Sequence, residues 1–374
     1  MISYSSISGT GLSHPLDCDL YPHPSDIFGE IFPLAAVRAC HDNLAKASDL
    51  NAYGSNAAAD DLDALRRRLG YRKLILLGGS YGTTEALVYL RRHGDSVQSE
   101  VLDGVAPPGD MFPLPFLRGA QHALDDLAGS CGADAICHAH FPDFRREFAD
   151  LLKETGTGLP VDFDDSQTGE YVHTRLMRGV FADRMRQAMY SPGFAALLPL
   201  VVHDAAAGNT TPLAKLVVFL SRAINGSLAL GENISVDCQE GVLFVTDAEV
   251  ARASAGSFMA NTIVDARRAT CVIWNVRPVN RRDLGPIRSA VPVLMLSGQD
   301  DPATPPQPAT RELAYLSRGR QILIPNGGHD NDDPCLTQIQ IRFMKTSSAT
   351  DLDASCARRF ARPPFETELP EFLR

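Results

Sequence analysis

The sequence predicts an α/β protein: a mostly parallel sheet flanked by helices, with a helical cap inserted into it. Three observations carry that expectation. Short apolar runs at 74–77, 291–296 and 320–324 have the pattern of buried strands. Strand, helix and a second strand near 97–102 fall within about 35 residues, the size of a parallel βαβ unit. Between residues 109 and 288, helical periodicity takes over and convincing strands are absent.

Taken in order, residues 1–30 are turn-rich, with Gly9, Gly11, Pro15, Pro22 and Pro24. Two helical segments follow. The second, 57–69, places Leu62, Leu65 and Leu69 on one face and gathers Arg66, Arg67 and Arg68 in its last turn before Gly70. The run 74–77 then leads through a glycine-rich turn into a helix that stops near Gly94. In the cap, helices are expected at 114–127, 144–152, 176–189, 194–206, 212–224 and 248–255, and the polar tract 161–171 reads as a surface loop. The domain reading is therefore 1–108 and 289–374 for the two parts of the sheet domain, with 109–288 as the cap. A last helix covers 335–345.

The turn after residue 77 is Gly78-Gly79-Ser80-Tyr81-Gly82, a match to G-x-S-x-G. In this motif the serine occupies a strained strand-to-helix turn, and small flanking residues leave room where a side chain would meet backbone. The hydroxyl is presented at a helix N-terminus, where amides and dipole favour negative charge. The amide of Tyr81 is thereby placed to donate to a developing oxyanion. Many α/β proteins have glycine-rich connections, so the acid and the histidine decide the matter. Asp301 follows the second run just before Pro302, and His329 follows the third after Gly327 and Gly328. The order Ser80, Asp301, His329 is that of the α/β hydrolases. Asp300 competes with Asp301 as the acid, although the residue directly before the proline fits the turn better. Cys137 and His140 are spaced like metal ligands, but one such pair is a weak signal, and a Cys131–Cys137 disulfide would account for the cysteine. The run Asp330 to Asp333 lacks the spacing of a calcium loop.

The chain has 374 residues, enough for one large domain or two smaller ones. Acidic residues outnumber basic ones 45 to 35, which argues against nucleic acid or an anionic membrane as partner. No apolar run approaches the ~20 residues needed to cross a bilayer. The eight cysteines fall as neighbours in sequence: Cys18 and Cys40, Cys131 and Cys137, Cys238 and Cys271, Cys335 and Cys356. Composition alone leaves disulfides and reduced thiols both open.

The motifs together resemble the tripeptidyl aminopeptidase branch of the prolyl aminopeptidase family of α/β hydrolases. The likeness rests on Gly9-Thr10-Gly11-Leu12-Ser13, on the elbow, on residues 101–108, on Asp301-Pro302-Ala303-Thr304-Pro305-Pro306 and on Gly327-Gly328-His329. It implies a secreted or periplasmic exopeptidase or related small-substrate esterase, acting on peptides or small esters through an acyl-enzyme, with no metal and no organic cofactor. It also favours the neighbour pairing of the cysteines as disulfides. Cys238-Gln239-Glu240 resembles a Cys-x-Glu motif of the family, which gives Glu240 the task of meeting a free α-amino group; a surface glutamate is the competing reading. Family members reach the Gly-Thr-Gly stretch only after several strands and a glycine-rich turn that supplies a second oxyanion amide. This chain starts almost at Gly9, and residues 1–14 have no signal-peptide pattern. The expectation is an N-terminally truncated chain lacking the first strands. A missing oxyanion donor would lower turnover on the order of 10²- to 10³-fold, so a catalytically impaired hydrolase-like protein stands as an alternative.

Overall fold

The computed structural model describes residues 8–374. The expectations about residues 1–7 lie outside the described residues. The central sheet has four parallel strands in the order β1 (Leu74–Gly79), β2 (Val97–Asp103), β5 (Val293–Gly298) and β6 (Gly319–Ile324). Along β2 and β5 successive side chains alternate between the two faces of the sheet. Leu102, Val293 and Met295 pack with Leu87 and Leu90 of α3 (Tyr81–His93). Val101, Leu294 and Leu296 pack on the other side with Leu336, Ile339 and Phe343 of α14 (Pro334–Thr346). Helix α13 (Pro306–Leu313) connects β5 to β6.

Strand β1 differs from its expected double-sided burial. It is the edge of the sheet, and Ile75 and Leu77 are 40% and 58% exposed. Among the described residues, nothing pairs with its outer edge. Before it run α1 (Leu34–Leu44) and α2 (Ser55–Arg68). Of the predicted leucine stripe, Leu62 packs against the core beside the sheet, whereas Leu65 and Leu69 are exposed. The buried face is Ala58, Ala59 and Asp63, because small residues let α2 lie close against α3 and the Tyr89 hydroxyl donates to Asp63.

The cap contains α4 (Leu114–Ala133), α5 (Ala135–His140), α6 (Phe144–Glu154), α7 (Arg178–Ala188), α8 (Pro192–Ala206), α9 (Thr211–Ser227), α10 (Leu230–Val236), α11 (Asp247–Ser254) and α12 (Thr262–Trp274). It is not purely helical. The tract read as a surface loop lies in an antiparallel hairpin, β3 (Leu159–Asp164) with β4 (Tyr171–Leu176), pairing Phe163 with Val172. Leu159, Val161 and Phe163 face the core while the intervening Asp162 and Asp164 face outward. A five-residue window of alternation, bracketed by acidic side chains, is a weak strand signal until a core lies beneath it. The N-terminal segment also departs from the domain reading. Leu16, Leu20, Phe28 and Val37 are buried in the cap's core with Leu176, Phe181 and Trp274. With no strand of their own to extend the sheet, these side chains find apolar cover only on the cap.

All eight cysteines are paired, as Cys18–Cys40, Cys131–Cys137, Cys238–Cys271 and Cys335–Cys356. The third closes the longest of these loops, with a sequence separation of 33. Chain-entropy arguments give such a loop about 3–4 kcal/mol. Replacing both Cys238 and Cys271 by alanine is expected to lower the unfolding free energy by about that amount, read from urea titrations without reductant.

Candidate active site

The turn between β1 and α3 holds Ser80 at φ 52° and ψ −125°, a conformation that strains any residue with a side chain. It persists because its neighbours over-determine it. The Ser80 amide donates to the Asp103 carbonyl at 2.8 Å. The Ser80 carbonyl accepts from the Thr83 amide at 2.9 Å and from Thr83 Oγ1 at 2.6 Å. A Cβ on Gly78 would stand 2.4 Å from the Gly82 carbonyl oxygen, so this position excludes every other residue. The crowding is one-sided: a Cβ on Gly82 would meet nothing within 4 Å. Tyr81 is the first residue of α3, and its amide is one of those that have no partner within a helix.

Asp301 and His329 leave the carboxyl ends of β5 and β6. His329 Nδ1 lies 2.9 Å from Asp301 Oδ2. The Ala303 and Thr304 amides donate to Asp301 Oδ1 at 2.8 and 2.9 Å, and Thr304 Oγ1 donates to Oδ2 at 2.6 Å. A carboxylate facing Nδ1 keeps the proton on that nitrogen and leaves Nε2 as the basic one. Burial pushes the Asp301 carboxyl up, but the His329 charge and the bonds from His329 and Thr304 outweigh it and hold the group below the usual carboxylate range. Burial pushes the imidazole down, and Asp301 more than restores it, so His329 titrates above an ordinary histidine. Asp300 is occupied elsewhere: Arg362 bridges it at 3.0 Å to Asp126 of α4 at 2.7 Å.

The imidazole lies over the end of β2, the strand next to the one that leads into Ser80. A Cβ on Gly104 would stand 3.0 Å from His329 Cε1, and Gly104 directly follows Asp103, the acceptor of the Ser80 amide. Ser80 Oγ makes no hydrogen bond among the described residues; such bonds commonly tighten only with substrate present. The cap reaches the same loop. The His329 and Asp330 amides donate to the Tyr190 carbonyl at 2.7 and 2.9 Å, and the Tyr190 and His329 rings are 4.8 Å apart.

Ser80 opens onto a cavity of about 290 Å³ between sheet and cap, also lined by Tyr81, Thr304, Tyr190, Glu232 and Glu240. Glu240 is half-buried rather than a free surface residue. It sits on a π-helical turn, Asp237–Gly241, tied by the Cys238 disulfide. Its carboxylate accepts from the Ser55 amide at 2.7 Å and from Ser55 Oγ at 2.6 Å. With Ser55 Oγ donating there, the Tyr81 hydroxyl, 2.9 Å away, donates to Ser55 Oγ and links Glu240 to the residue after Ser80. Burial raises the Glu240 carboxyl, with the Ser55 bonds opposing. Sequence reasoning missed Ser55, Thr304, Tyr190 and Glu232. Only Thr304 had a local signal, the Asp-x-x-Thr spacing that lets a hydroxyl close onto the aspartate.

These positions set a pH dependence. If His329 is the base it must be neutral, and its raised pKa moves the loss of kcat/KM on acidification to a value above that of a free imidazole. A profile whose acidic limb falls below about pH 6.5 would contradict the Asp301–His329 pairing as the operative one.

The family model described as alpha/beta hydrolase fold matches residues 9–129, and that described as TAP-like protein matches residues 257–356. The serine protease Hip1 of Mycobacterium tuberculosis is 26% identical over 345 residues, which is 86% of this chain and 64% of Hip1. The chain thus spans less than two thirds of the length of this relative. The putative hydrolase YuaR of Escherichia coli is 30% identical over 109 residues, covering 28% of this chain and 22% of that protein. Among solved structures, the alpha/beta hydrolase MGS-M2 from a Medee basin deep-sea metagenome library overlays at a TM-score of 0.33 with 15% identity, covering 79% of this chain and 71% of its own. No residue role is drawn from that likeness. One family match encloses the elbow and the other encloses Asp301 and His329, and together with Hip1 they support an α/β-hydrolase fold of the TAP-like branch.

Proposed function

We propose that this chain is a serine hydrolase of Ser80-Asp301-His329 type that releases residues or short peptides from a free N-terminus. The supporting observation is the His329–Asp301 hydrogen bond, at the strand edge where Ser80 opens onto the cavity. Ser80 Oγ attacks the substrate carbonyl while His329 Nε2 takes its proton; the new Oγ–C bond forms as the carbonyl oxygen becomes an oxyanion facing the Tyr81 amide. Collapse of that intermediate breaks the C–N bond, and His329 returns the proton to the departing amine. Water, deprotonated by the same imidazole, then adds to the acyl carbon; the C–Oγ bond breaks, His329 returns the proton to Ser80 Oγ and the acid departs. Asp301 holds the ring in its tautomer and stabilises the imidazolium. Glu240, on the cavity wall, meets the α-ammonium group. The four disulfides fit an oxidising compartment outside the cytosol.

The test uses tri-alanyl anilide with and without an N-acetyl block. The free amine is expected to be preferred about 10²-fold in kcat/KM, the worth of a charge-assisted pair in a partly buried site. Glu240→Gln should erase most of that preference. Equal turnover of blocked and free substrates, with short acyl esters cleaved as well, would make the protein an esterase on the same three residues.

A further inference from the structure

The cavity carries more acid than one ammonium group requires. Glu232, on α10, is 8% exposed, lines the cavity and has no hydrogen-bond donor among the described residues. Glu85 stands four residues past Tyr81 on α3, hence on the same helix face. Its Oε1 is sealed from solvent and has no partner among the described residues. Among the described residues, the only charges acting on Glu232 and Glu85 are carboxylates: Glu240 on the first, Glu232 and Glu240 on the second. The other charged groups on the cavity wall each have a partner of opposite charge, Asp110 with Arg311 through Oδ1 among them. Asp237 pairs with Arg267, and Asp183 pairs with Arg184 and Arg186. Arg91 acts on Glu240 alone of the three glutamates, and without a hydrogen bond to it. Buried carboxyl groups that face only other carboxyl groups are costly, and such an arrangement persists at sites that receive a cation. No three His, Cys, Asp or Glu side chains among the described residues stand close enough to hold a metal ion, which suits a diffuse organic cation instead.

We infer that this wall is a two-cation subsite: Glu240 meets the α-ammonium, and Glu232, backed by Glu85, takes a second positive group on the side chain of the substrate's N-terminal residue. The preferred substrates then begin with lysine, ornithine or arginine. This rests on the free-amine reading above and adds to it the side chain that the enzyme selects. It also has a proton signature. Burial and the neighbouring carboxylates raise Glu85 to about 8, and burial and Glu240 raise Glu232 to about 7, so at neutral pH Glu85 is mostly protonated and Glu232 about half so. An incoming cation favours their ionised forms and drives protons off.

Calorimetry on Ser80→Ala protein separates the two readings without turnover. The probes are Lys-Ala amide, norleucyl-Ala amide and the Nα-acetyl form of each. The lysyl probe should bind about 10- to 100-fold tighter than the norleucyl one, the range for a hydrogen bond to a charged group. It should also release more protons at pH 7, read from titrations in buffers of different ionisation enthalpy. Adding Glu232→Gln should remove the lysyl advantage and leave norleucyl affinity unchanged; Glu85→Gln should weaken the advantage and serves if the first variant folds poorly. Equal affinity for the lysyl and norleucyl probes, or an advantage that survives both substitutions, overturns the second subsite. Loss of the acetylation effect overturns the free-amine reading instead. Absence of binding by all four probes at millimolar concentration overturns both.

Discussion

Replacing Ser80 by alanine is expected to abolish covalent labelling by a fluorophosphonate and to lower turnover about 10⁴- to 10⁶-fold, the loss seen when a serine nucleophile is removed. The folded state should be little altered. The strain at this position lies in the backbone, which alanine inherits, and the bonds that secure it run through the Ser80 amide and carbonyl. An unchanged unfolding midpoint combined with lost labelling would separate chemistry from folding. Gly78→Ala should do the reverse: its Cβ would press on the Gly82 carbonyl and disturb the turn that presents an intact hydroxyl. Retained labelling of a Ser80→Ala protein would assign the reactive group to another side chain and remove the catalytic reading of the elbow.

The two adjacent acids provide the second large contrast. Asp301→Asn is expected to reduce kcat about 10⁴-fold, because an amide cannot hold the imidazole in the tautomer that leaves Nε2 basic. Asp300→Asn should cost less than about tenfold, since its partner is Arg362 rather than His329. The same pair of variants separates position from mere burial, as both carboxyl groups are largely enclosed: Asp301 is 1% exposed and Asp300 7%. Comparable losses in both would mean that the enclosed acidic loop matters for folding and that the hydrogen bond to His329 has no special weight.

Legibility differed by residue. The strands that lead into Ser80, Asp301 and His329 could be read from sequence, because short apolar runs followed by glycine turns are local patterns. The choice between Asp300 and Asp301 leaned on a proline, and the structure supplies the reason in space: one carboxylate faces the imidazole, the other the Arg362 bridge to the cap. The neighbour pairing of the cysteines was open from composition, yet each pair meets. The hairpin at Leu159–Leu176, the outward turn of Leu65 and Leu69, and the exposed face of β1 were misread. Each is a question of what lies opposite, and periodicity is silent on that.

What the chain order by itself determined is which side chains stand at the strand ends: a hydroxyl at an elbow after β1, then an acid after β5, then an imidazole after β6, all of one parallel sheet. Only the tertiary structure decided what surrounds them. Ser55 lies 185 positions from Glu240, and Glu85 on α3 meets Glu232 and Glu240 from a distant stretch of the chain, as Tyr190 meets His329. Local sequence carries dihedral preference and amphipathic period, both set by near neighbours. The electrostatics of a cavity arise from groups that meet only when the cap has closed over the sheet, and no window of sequence contains them.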